Sequence, residues 1–187
     1  MAPGIDRVGK EALGLRRHTV QVVAHRPEWR GLYERERRAL LERVGHLAVG
    51  VEHVGSTAVP GLDAKPIIDI ALAVTSTEVV TRLERPLGEI GYIYRGDAGA
   101  DGGHLFVKES APEVRTHHLH VVAATDPQWR GWLLFRDELR ADEELRARYV
   151  LLKKALQERF AQDRKGYTNA KREFIDSVEG GRGSIPG

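Results

Sequence analysis

Two short apolar segments, residues 51–54 and 67–74, stand out in the pattern of hydrophobic and polar positions along the chain. The first alternates apolar and polar residues, and the second consists almost entirely of Ile, Leu, Ala and Val. Both are too short for a typical helix, so the pattern predicts two β-strands. Asp69 interrupts the second strand, and a carboxylate among aliphatic residues is unfavourable unless it is paired or binds a metal ion. Asp69 is therefore a candidate site residue.

The loop between these strands begins with Gly55, Ser56 and Thr57 and continues through two proline-containing turns. Glycine lets a backbone approach a ligand closely, and consecutive N–H groups with hydroxyl side chains can hold an anion. The alternative is an ordinary turn without a ligand. The nearby carboxylate of Asp69 favours the functional interpretation, because a lone buried acid more often marks a site than a core.

The rest of the first two thirds of the chain alternates strands with helices. Apolar residues at helical spacing predict one helix that starts near Pro27 and another that is capped by Thr75 or Ser76. Trp29 in the first helix is interpreted as a core residue. Residues 96–103 contain four glycines and are expected to form a mobile loop or a plain hairpin connection. Further strands are predicted at residues 19–24, 91–95, 105–108 and 116–123.

The remainder of the chain is predicted to be helical. Asp126 followed by proline is a typical helix start, and Asp142 can cap the next helix. Gly166 is expected to break that helix, and Thr168 to cap a last one. We therefore divide the chain into a loose leader, a core, a C-terminal helical part packed on the core, and a flexible tail, at residues 1–17, 18–125, 126–179 and 180–187.

The strand at residues 116–123 contains the second candidate motif. Side chains alternate between the faces of a strand, so His118 and His120 share one face while His117 points to the other. Two imidazoles on one face could bind a metal ion or a phosphate. The alternative is a partly exposed strand with incidental histidines. His117 is interpreted as structural.

Bulk properties narrow the function classes. The 187 residues suffice for one domain with a full core. The formal net charge is +2, with basic and acidic residues nearly balanced, which does not favour a nucleic-acid partner. There are no cysteines, so disulfides and thiolate metal sites are excluded. No apolar run approaches the roughly 18 residues of a membrane span, and the first 17 residues lack the apolar centre of a signal peptide. We expect a cytoplasmic protein without membrane contact.

Residues 52–57, 59–62 and 64–70, with the sequences EHVGST, VPGL and AKPIIDI, resemble the signature of the GrpB family. A looser similarity extends from about residue 20 to residue 175. The resemblance implies the nucleotidyltransferase superfold of DNA polymerase β and the antibiotic adenylyltransferases. The fold class expected is thus α/β (α+β), with a nucleotidyltransferase-like mixed sheet flanked by helices and a C-terminal helical segment.

The resemblance also adds candidate ligand-binding residues. The family carries a similar His-x-His at His118 and His120, and the Phe-Arg-Asp that contains Arg136 also matches. Lysines above a carboxylate-and-histidine site would suit a phosphate-bearing ligand, and Lys65 is a further candidate of this kind. For Lys153 and Lys171 the alternative is a solvated helix residue, and for Tyr167 it is a ring packed on the helix below. The family also shows two similar patterns in which a lysine follows a tyrosine. In this chain the first ends at Lys153, and the second runs from Tyr167 to Lys171.

In the superfold, a Gly-Ser turn precedes an acid pair, Asp-x-Asp or Asp-x-Glu, and a third acid follows on a later strand; the acids hold two metal ions. This chain has Gly55, Ser56 and Asp69 in that order, but Ala71 stands where the second acid is expected. We therefore expect a single divalent ion, Mg²⁺ or another, held by Asp69 with His118 or His120. Glu52 and His53 are expected nearby.

Three functions remain open at this point. The first is a nucleotidyltransferase-fold enzyme acting on a nucleotide or phosphorylated small molecule, with Asp69, His53 and His120 as catalytic residues. The second is a ligand-binding or partner-stabilising module without catalysis, which suits the domains resembling GrpB that are fused to dephospho-coenzyme A kinase. The third, weaker hypothesis is a metal-dependent hydrolase that uses the same residues. The substrate and the oligomeric state do not follow from the sequence.

Overall fold

The computed structural model of the protein describes residues 13–99 and 102–180. Its centre is a mixed sheet with the order β2-β3-β6-β5-β4, and β1 pairs with the beginning of β6. Strands β3 and β6 are parallel, and the other paired strands are antiparallel. The strands are β1 (Leu15–Arg16), β2 (Ala48–Val54), β3 (Ile68–Val74), β4 (Tyr92–Asp97), β5 (His104–Ala111) and β6 (Val114–Ala123).

Helices cover both faces of this sheet, so the predicted α/β class with a mixed sheet and a helical C-terminal segment is confirmed. Short 3-10 helices occupy Ser56–Ala58 and Thr77–Val79. Over the part of the chain described, no helix is both long and apolar enough to cross a bilayer. The α-helices are α1 (Glu28–Val44), α2 (Val80–Glu89), α3 (Pro127–Ala141), α4 (Glu143–Arg159) and α5 (Arg164–Gly180).

One face of the sheet forms the main apolar core. Every second residue of β3 from Ile68 to Val74 points to this face and packs against α1 and α2. Trp29 of α1 is fully buried here, as its place in the amphipathic pattern predicts. Both helices place their apolar stripes on the sheet, so burial of this face is the main source of stability in the core.

The opposite face carries α3 at close range. A Cβ atom added to Gly50 of β2 would lie 3.0 Å from the Trp129 ring of α3. Gly50 pairs with Ala73 of β3, so small residues form the surface beneath this helix. Helices α3–α5 form a second apolar cluster with the segment after β2, through the contacts of Val59 and Leu62 with Phe135.

Several expected element boundaries are wrong. Residues 19–24 form no strand: Val23 makes one isolated bridge, to Ala64. Residues 13–17 are not loose, because Leu13 and Leu15 are buried and β1 adds to the sheet. The rest of the expected leader, residues 1–12, lies outside the described residues, as do the tail from residue 181 and residues 100–101 of the glycine-rich loop.

The last helix begins earlier than predicted. Helix α4 ends at Arg159, and Gly166 lies inside α5 instead of breaking a helix. The reason is Asp163, whose carboxylate accepts a hydrogen bond from the backbone N–H of Gly166 at 2.8 Å and so caps the helix. Thr168 is therefore an interior residue of α5 and not its cap.

Candidate functional site

A cavity of about 280 Å³ lies between the second face of the sheet and the C-terminal helices. We call it the Asp69 cavity. The strand–loop–strand unit of β2 and β3 forms one side and carries Lys65, β6 forms the floor, and α4 and α5 supply Lys153 and Lys171. The sequence-predicted residues that line it are Gly55, Ser56, Thr57, Lys65, Asp69, His118, His120, Lys153, Tyr167 and Lys171.

The register of the two parallel strands brings the carboxylate and the imidazoles together. Asp69 pairs with His118, and Ala71 pairs with His120, so all of these side chains point to one face. The Nδ1–H of His118 donates a hydrogen bond to Oδ1 of Asp69 at 2.9 Å. One ligand atom from each of Asp69, His118 and His120 lies within 4.8 Å of the other two, a spacing that one metal ion could bridge.

Asp69 is held in its charged form. Burial by itself would raise the pKa of this carboxyl, but the hydrogen bond and charge of His118, with His120 and Lys65, outweigh it. The pKa of Asp69 is therefore well below its usual range, and the group is an anion at neutral pH. An ionised carboxylate in this position can bind a cation without first losing a proton.

His120 lines the cavity, and one of its ring nitrogens is fixed by a backbone carbonyl. Its Nδ1–H donates to the backbone carbonyl of Gly102 at 3.0 Å, and its ring lies 5.4 Å from that of Trp132. Metal-binding histidines commonly fix their second nitrogen on a carbonyl or carboxylate in this way. Gly102 lies in the glycine-rich loop, so that loop helps to orient His120.

Gly55 has a conformation and an environment that only glycine tolerates. Its φ of 68° lies in the left-handed region, and a Cβ atom there would come within 2.7 Å of Oδ2 of Asp69. The loop can thus lie directly against the carboxylate. This contact accounts for the glycine of the Gly-Ser turn in physical terms.

Lys153 is buried and bonded within the protein. Its side chain is 2% exposed, and its Nζ donates to the carbonyl of Asp63 and to Oγ of Ser56, the latter at 3.3 Å. Burial, together with the charge of Lys171, lowers the pKa of Lys153 to about 7, although Asp63 opposes the change. Lys153 therefore positions the loop from Ser56 to Asp63 and has less charge to offer a ligand than an exposed lysine.

Lys65 and Lys171 are arranged around one aromatic ring. Their Nζ atoms lie 5.2 and 5.0 Å from the ring centroid of Tyr167, which is almost fully buried. Cation–π contacts of this kind fix the lysine positions at a modest gain in energy. Burial raises the pKa of Tyr167 to about 12, so the phenol stays protonated. Two ammonium groups thus line the same cavity as Asp69, His118 and His120, which we call the triad.

The structure does not bring His53 or Arg136 into this cavity, contrary to expectation. His53 lies one residue out of phase with Asp69 across the β2–β3 pair and points to the α1 face, where it stacks on Tyr33 at 4.5 Å. Arg136 donates to Glu52 at 2.7 Å and to the His53 carbonyl at 3.0 Å. Both residues line a different cavity at the edge of β2.

No second acid is available at the position of Ala71, which is 0% exposed. Ala71 lies between Glu52 and His120 on one row of the sheet. Helix α3 covers both neighbours, since Arg136 binds Glu52 and Trp132 contacts His120. Among the described residues that line the Asp69 cavity, Asp69 is the one carboxylate.

An aromatic recess next to the cavity was not predicted. It measures about 290 Å³ and shares Ser56, His120, Trp132 and Lys171 with the Asp69 cavity. Trp132 occurs in the sequence as one more apolar position of α3, and no local signal distinguishes a wall residue from a core residue there. The recess continues along Phe135, Tyr149 and Ile175.

Comparison with known proteins bears on the family and the fold of the chain. A family model described as "GrpB protein" matches residues 19–180. The glutamate-rich protein GrpB of Alkalihalophilus pseudofirmus is 35% identical over 169 residues, which cover 89% of this chain and 97% of that protein. A crystal structure of the conserved protein GrpB from Enterococcus faecalis aligns with a TM-score of 0.76 at 35% identity, over 85% of this chain and 94% of that one. A protein named dephospho-CoA kinase from Mycolicibacterium paratuberculosis is 31% identical over 182 residues, which span 45% of its length.

Proposed function

Since the chain belongs to the GrpB family, we propose that it binds a nucleotide or another phosphorylated small molecule in the Asp69 cavity, beside one divalent metal ion, and transfers a nucleotidyl group. The observation that carries this proposal is the meeting of Asp69, His118 and His120 with two lysines in one cavity. A cation-binding set and a cationic wall, formed by Lys65 and Lys171, in one cavity suit a ligand whose phosphate bridges them.

The ligand set favours a particular class of metal. Asp69, His118 and His120 would supply one oxygen and two nitrogen ligands. Mg²⁺ prefers oxygen ligands, whereas imidazole suits Zn²⁺ and other late transition metals, so a transition metal fits these residues better than Mg²⁺. When bound, such an ion supplies positive charge that stabilises phosphate oxygens during attack on phosphorus.

The chain's own residues have distinct roles in this proposal. The backbone and hydroxyl of Ser56 would bind phosphate oxygens, and Lys65 and Lys171 would neutralise their charge. Lys153 would keep the loop in place, because its ammonium is already bonded to Ser56 and to the carbonyl of Asp63. The aromatic recess would hold the non-phosphate part of the ligand against Trp132.

Proton transfer is assigned to the triad. In nucleotidyl transfer, a bond forms between an acceptor oxygen and the α-phosphorus, the bond to pyrophosphate breaks, and the acceptor loses a proton. In the arrangement where Asp69 and His118 alone hold the ion, His120 takes that proton, since its Nδ1 is fixed on Gly102 and its ring lines the cavity. His53 points to the other face of the sheet and does not line the Asp69 cavity, so it is not assigned this proton transfer.

Substitution of Asp69 by asparagine tests the proposal. The change keeps the shape and removes the charge, so Mn²⁺ or Zn²⁺ should bind at least about a hundredfold more weakly, because even outer partners of metal ligands contribute about ten- to a hundredfold. Isothermal titration calorimetry measures the affinity, and thermal melting checks that the variant is folded. Glu42→Gln, at an exposed position of α1 outside the Asp69 cavity, is the control that removes one carboxylate charge. Equal metal affinity in the wild type and Asp69→Asn would refute the assignment.

A binding module without catalysis is the second candidate, and Ala71 favours it. With one carboxylate in the cavity, the two-metal arrangement of nucleotidyltransferases is incomplete. The relatives named dephospho-CoA kinase also suit an accessory domain within a longer protein. The products formed from nucleoside triphosphates and Mn²⁺ separate the hypotheses: pyrophosphate with a labelled acceptor indicates transfer, and orthophosphate or a free nucleotide without an acceptor indicates hydrolysis. Binding without any product indicates the module.

A further inference from the structure

A second and larger cavity, of about 770 Å³, opens at the edge of the sheet on the other side of the segment 55–58. We call it the arginine cavity. It lies between α1 and α3, beside the free edge of β2, where Tyr33 and Arg136 bond the outward carbonyls of Val51 and His53. The arginines that line it are Arg30, Arg37, Arg136, Arg140 and Arg146.

We propose that the arginine cavity is a separate binding site for a small phosphate-bearing anion. Five guanidinium groups line it against two carboxylates, those of Glu34 and Glu52. Glu52 is already bonded to Arg136, so it does not neutralise the remaining arginines. Asp137 pairs with Arg136 and Arg140 from outside the wall, so five arginines face three carboxylates and the cavity keeps an excess of positive charge.

Two of the arginines form a fixed wall. Arg136 is held by Glu52, by Asp137 and by the His53 carbonyl. Arg140 donates from Nε and Nη2 to the carbonyl of Ala58, at 3.1 and 2.8 Å. These contacts order the guanidinium groups before any ligand arrives, which reduces the entropy lost on binding.

The other arginines have donors to spare. Arg146 uses Nη1 for the carbonyls of Leu139 and Arg140, which leaves its Nη2 without a hydrogen bond in the described part of the chain. In the described part of the chain, the guanidinium groups of Arg30 and Arg37 make no hydrogen bond or ion pair. Guanidinium groups bind phosphate oxygens in pairs of parallel hydrogen bonds, so these free donors suit a phosphate group.

The shape of the site favours a small molecule over a polymer. A cavity of about 770 Å³ lies within the usual range for small-molecule sites, roughly 300–1,000 Å³. The balanced charge of the whole chain also does not provide the extended basic surface that nucleic acids require. His53 in the wall is neutral, because burial and the charges of Arg140 and Arg136 lower its pKa to about 3. His53 thus adds no charge to that of the five arginines.

The two cavities are distinct because the chain separates them. Thr57 lies between them, with its hydroxyl bonded to Nε2 of His53 at 3.0 Å and to the carbonyl of Ile67 at 3.3 Å. The arginine cavity contains neither Asp69 nor the two histidines of the triad. Anion binding there should consequently need no metal ion.

Calorimetric titration of the full chain with pyrophosphate in EDTA tests the proposal. The chelator removes the metal ion on which ligand binding in the Asp69 cavity is proposed to depend. Failure of the arginine-cavity proposal can therefore be told apart from failure of the proposed function. Arg37→Gln should weaken binding about tenfold, the size of one charge-assisted hydrogen bond. Arg38→Gln, the next residue of α1 and outside the cavity, removes the same charge and should leave the affinity unchanged. Asp69→Asn should also leave it unchanged.

Other outcomes would overturn the proposal. Equal weakening by Arg37→Gln and Arg38→Gln would indicate a diffuse effect of charge, and no weakening by Arg37→Gln or Arg146→Gln would place the anion elsewhere. Loss of binding in Lys171→Gln would assign it to the Asp69 cavity. Citrate that binds as tightly as pyrophosphate would exclude a phosphate-selective site. Thermal melts of each variant confirm that the protein is folded.

Discussion

The two faces of β3 perform different tasks with the same seven residues. One face consists of Ile68, Ile70, Leu72 and Val74, all fully buried against α1 and α2. The other consists of Asp69, Ala71 and Ala73, beneath the C-terminal helices. The first face gains stability from apolar area. The second lacks that area, and its small residues let α3 approach while Asp69 faces a cavity.

Strand β6 repeats the division. Leu119 and Val121 are buried in the core, whereas His118 and His120 share the face of Asp69. His117 lies on the core side and bonds with its Nδ1 to the hydroxyl of Thr116 at 2.9 Å, a structural role. Because β3 and β6 are parallel neighbours, two alternating patterns at distant places in the chain align into one chemical face and one packing face. Variants on the two faces should therefore have different consequences.

The largest effect is expected when the chemical face receives the acid that the superfold pattern would place there. Ala71→Asp puts a carboxylate at a fully buried position under α3, between Glu52 and His120. We expect the free energy of unfolding to fall by at least about 4 kcal/mol, because a buried unpaired charge is among the most destabilising changes. Urea denaturation measures it, with Ala71→Ser as the smaller polar control. A stable Ala71→Asp that binds a second metal ion would show that the position is open.

Removal of packing on the other face should cost somewhat less. Ile70→Ala leaves a cavity in the main core and should lower the free energy of unfolding by about 4 kcal/mol or slightly less, within the usual range for such changes. Metal affinity should stay within about twofold, because the side chain points away from Asp69. Ile93→Ala is the matched control, since Ile93 is 43% exposed. A large loss of metal affinity in Ile70→Ala would mean that the faces are coupled.

Acid should destabilise the core side through His53. Burial lowers its pKa to about 3, so the folded protein keeps the ring neutral while the unfolded chain protonates it below about pH 6.5. The contribution of His53 to the free energy of unfolding is fully present above about pH 6.5 and is lost as the pH falls toward 3. At pH 4 the loss is about 3 kcal/mol. His53→Gln should flatten this dependence, whereas the exposed His46→Gln should not. Parallel curves for all three proteins would contradict the assignment.

The sequence was sufficient for the part of the site that rests on alternation. Asp69 breaks an aliphatic strand, and His118 and His120 share one strand face by parity, so their candidacy follows from local pattern. Their meeting also needs β3 and β6 to be parallel neighbours, which the local pattern does not show. Periodicity predicts the individual strands and helices, whereas the α/β class with a mixed sheet was implied by the family resemblance.

Features that depend on register or on distant partners could not be predicted in this way. The parity of His53 relative to Asp69 is fixed by the β2–β3 pairing, in which Val54 and not His53 faces Asp69. Arg136 matched the family pattern, yet its partner Glu52 lies 84 positions earlier in the chain. The pattern of residues 19–24 predicts a strand, but in the structure Val23 forms only one isolated bridge, with Ala64. In each case a tertiary contact decides between local alternatives.

The smallest expected effect concerns the cationic wall of the Asp69 cavity. Lys171 reaches the Asp69 cavity from α5 and lies 5.0 Å from the ring centroid of Tyr167. Lys171→Gln should weaken binding of a phosphorylated ligand in the presence of Mn²⁺ about tenfold, the loss of one charge-assisted contact. Binding of Mn²⁺ alone should not weaken, because the lysine repels a cation and is no ligand to it.

Lys165→Gln is the matched control for this change, because Lys165 lies on the same helix, is exposed and does not line the cavity. If Lys165→Gln weakens ligand binding as much as Lys171→Gln, the effect comes from the total charge of α5 and not from the wall. If Lys171→Gln weakens Mn²⁺ binding, the substitution has disturbed Tyr167 or the triad itself. Weakening of the phosphate-bearing ligand alone would link the lysine to the phosphate, which is the role that separates a phosphate site from a metal site without a substrate.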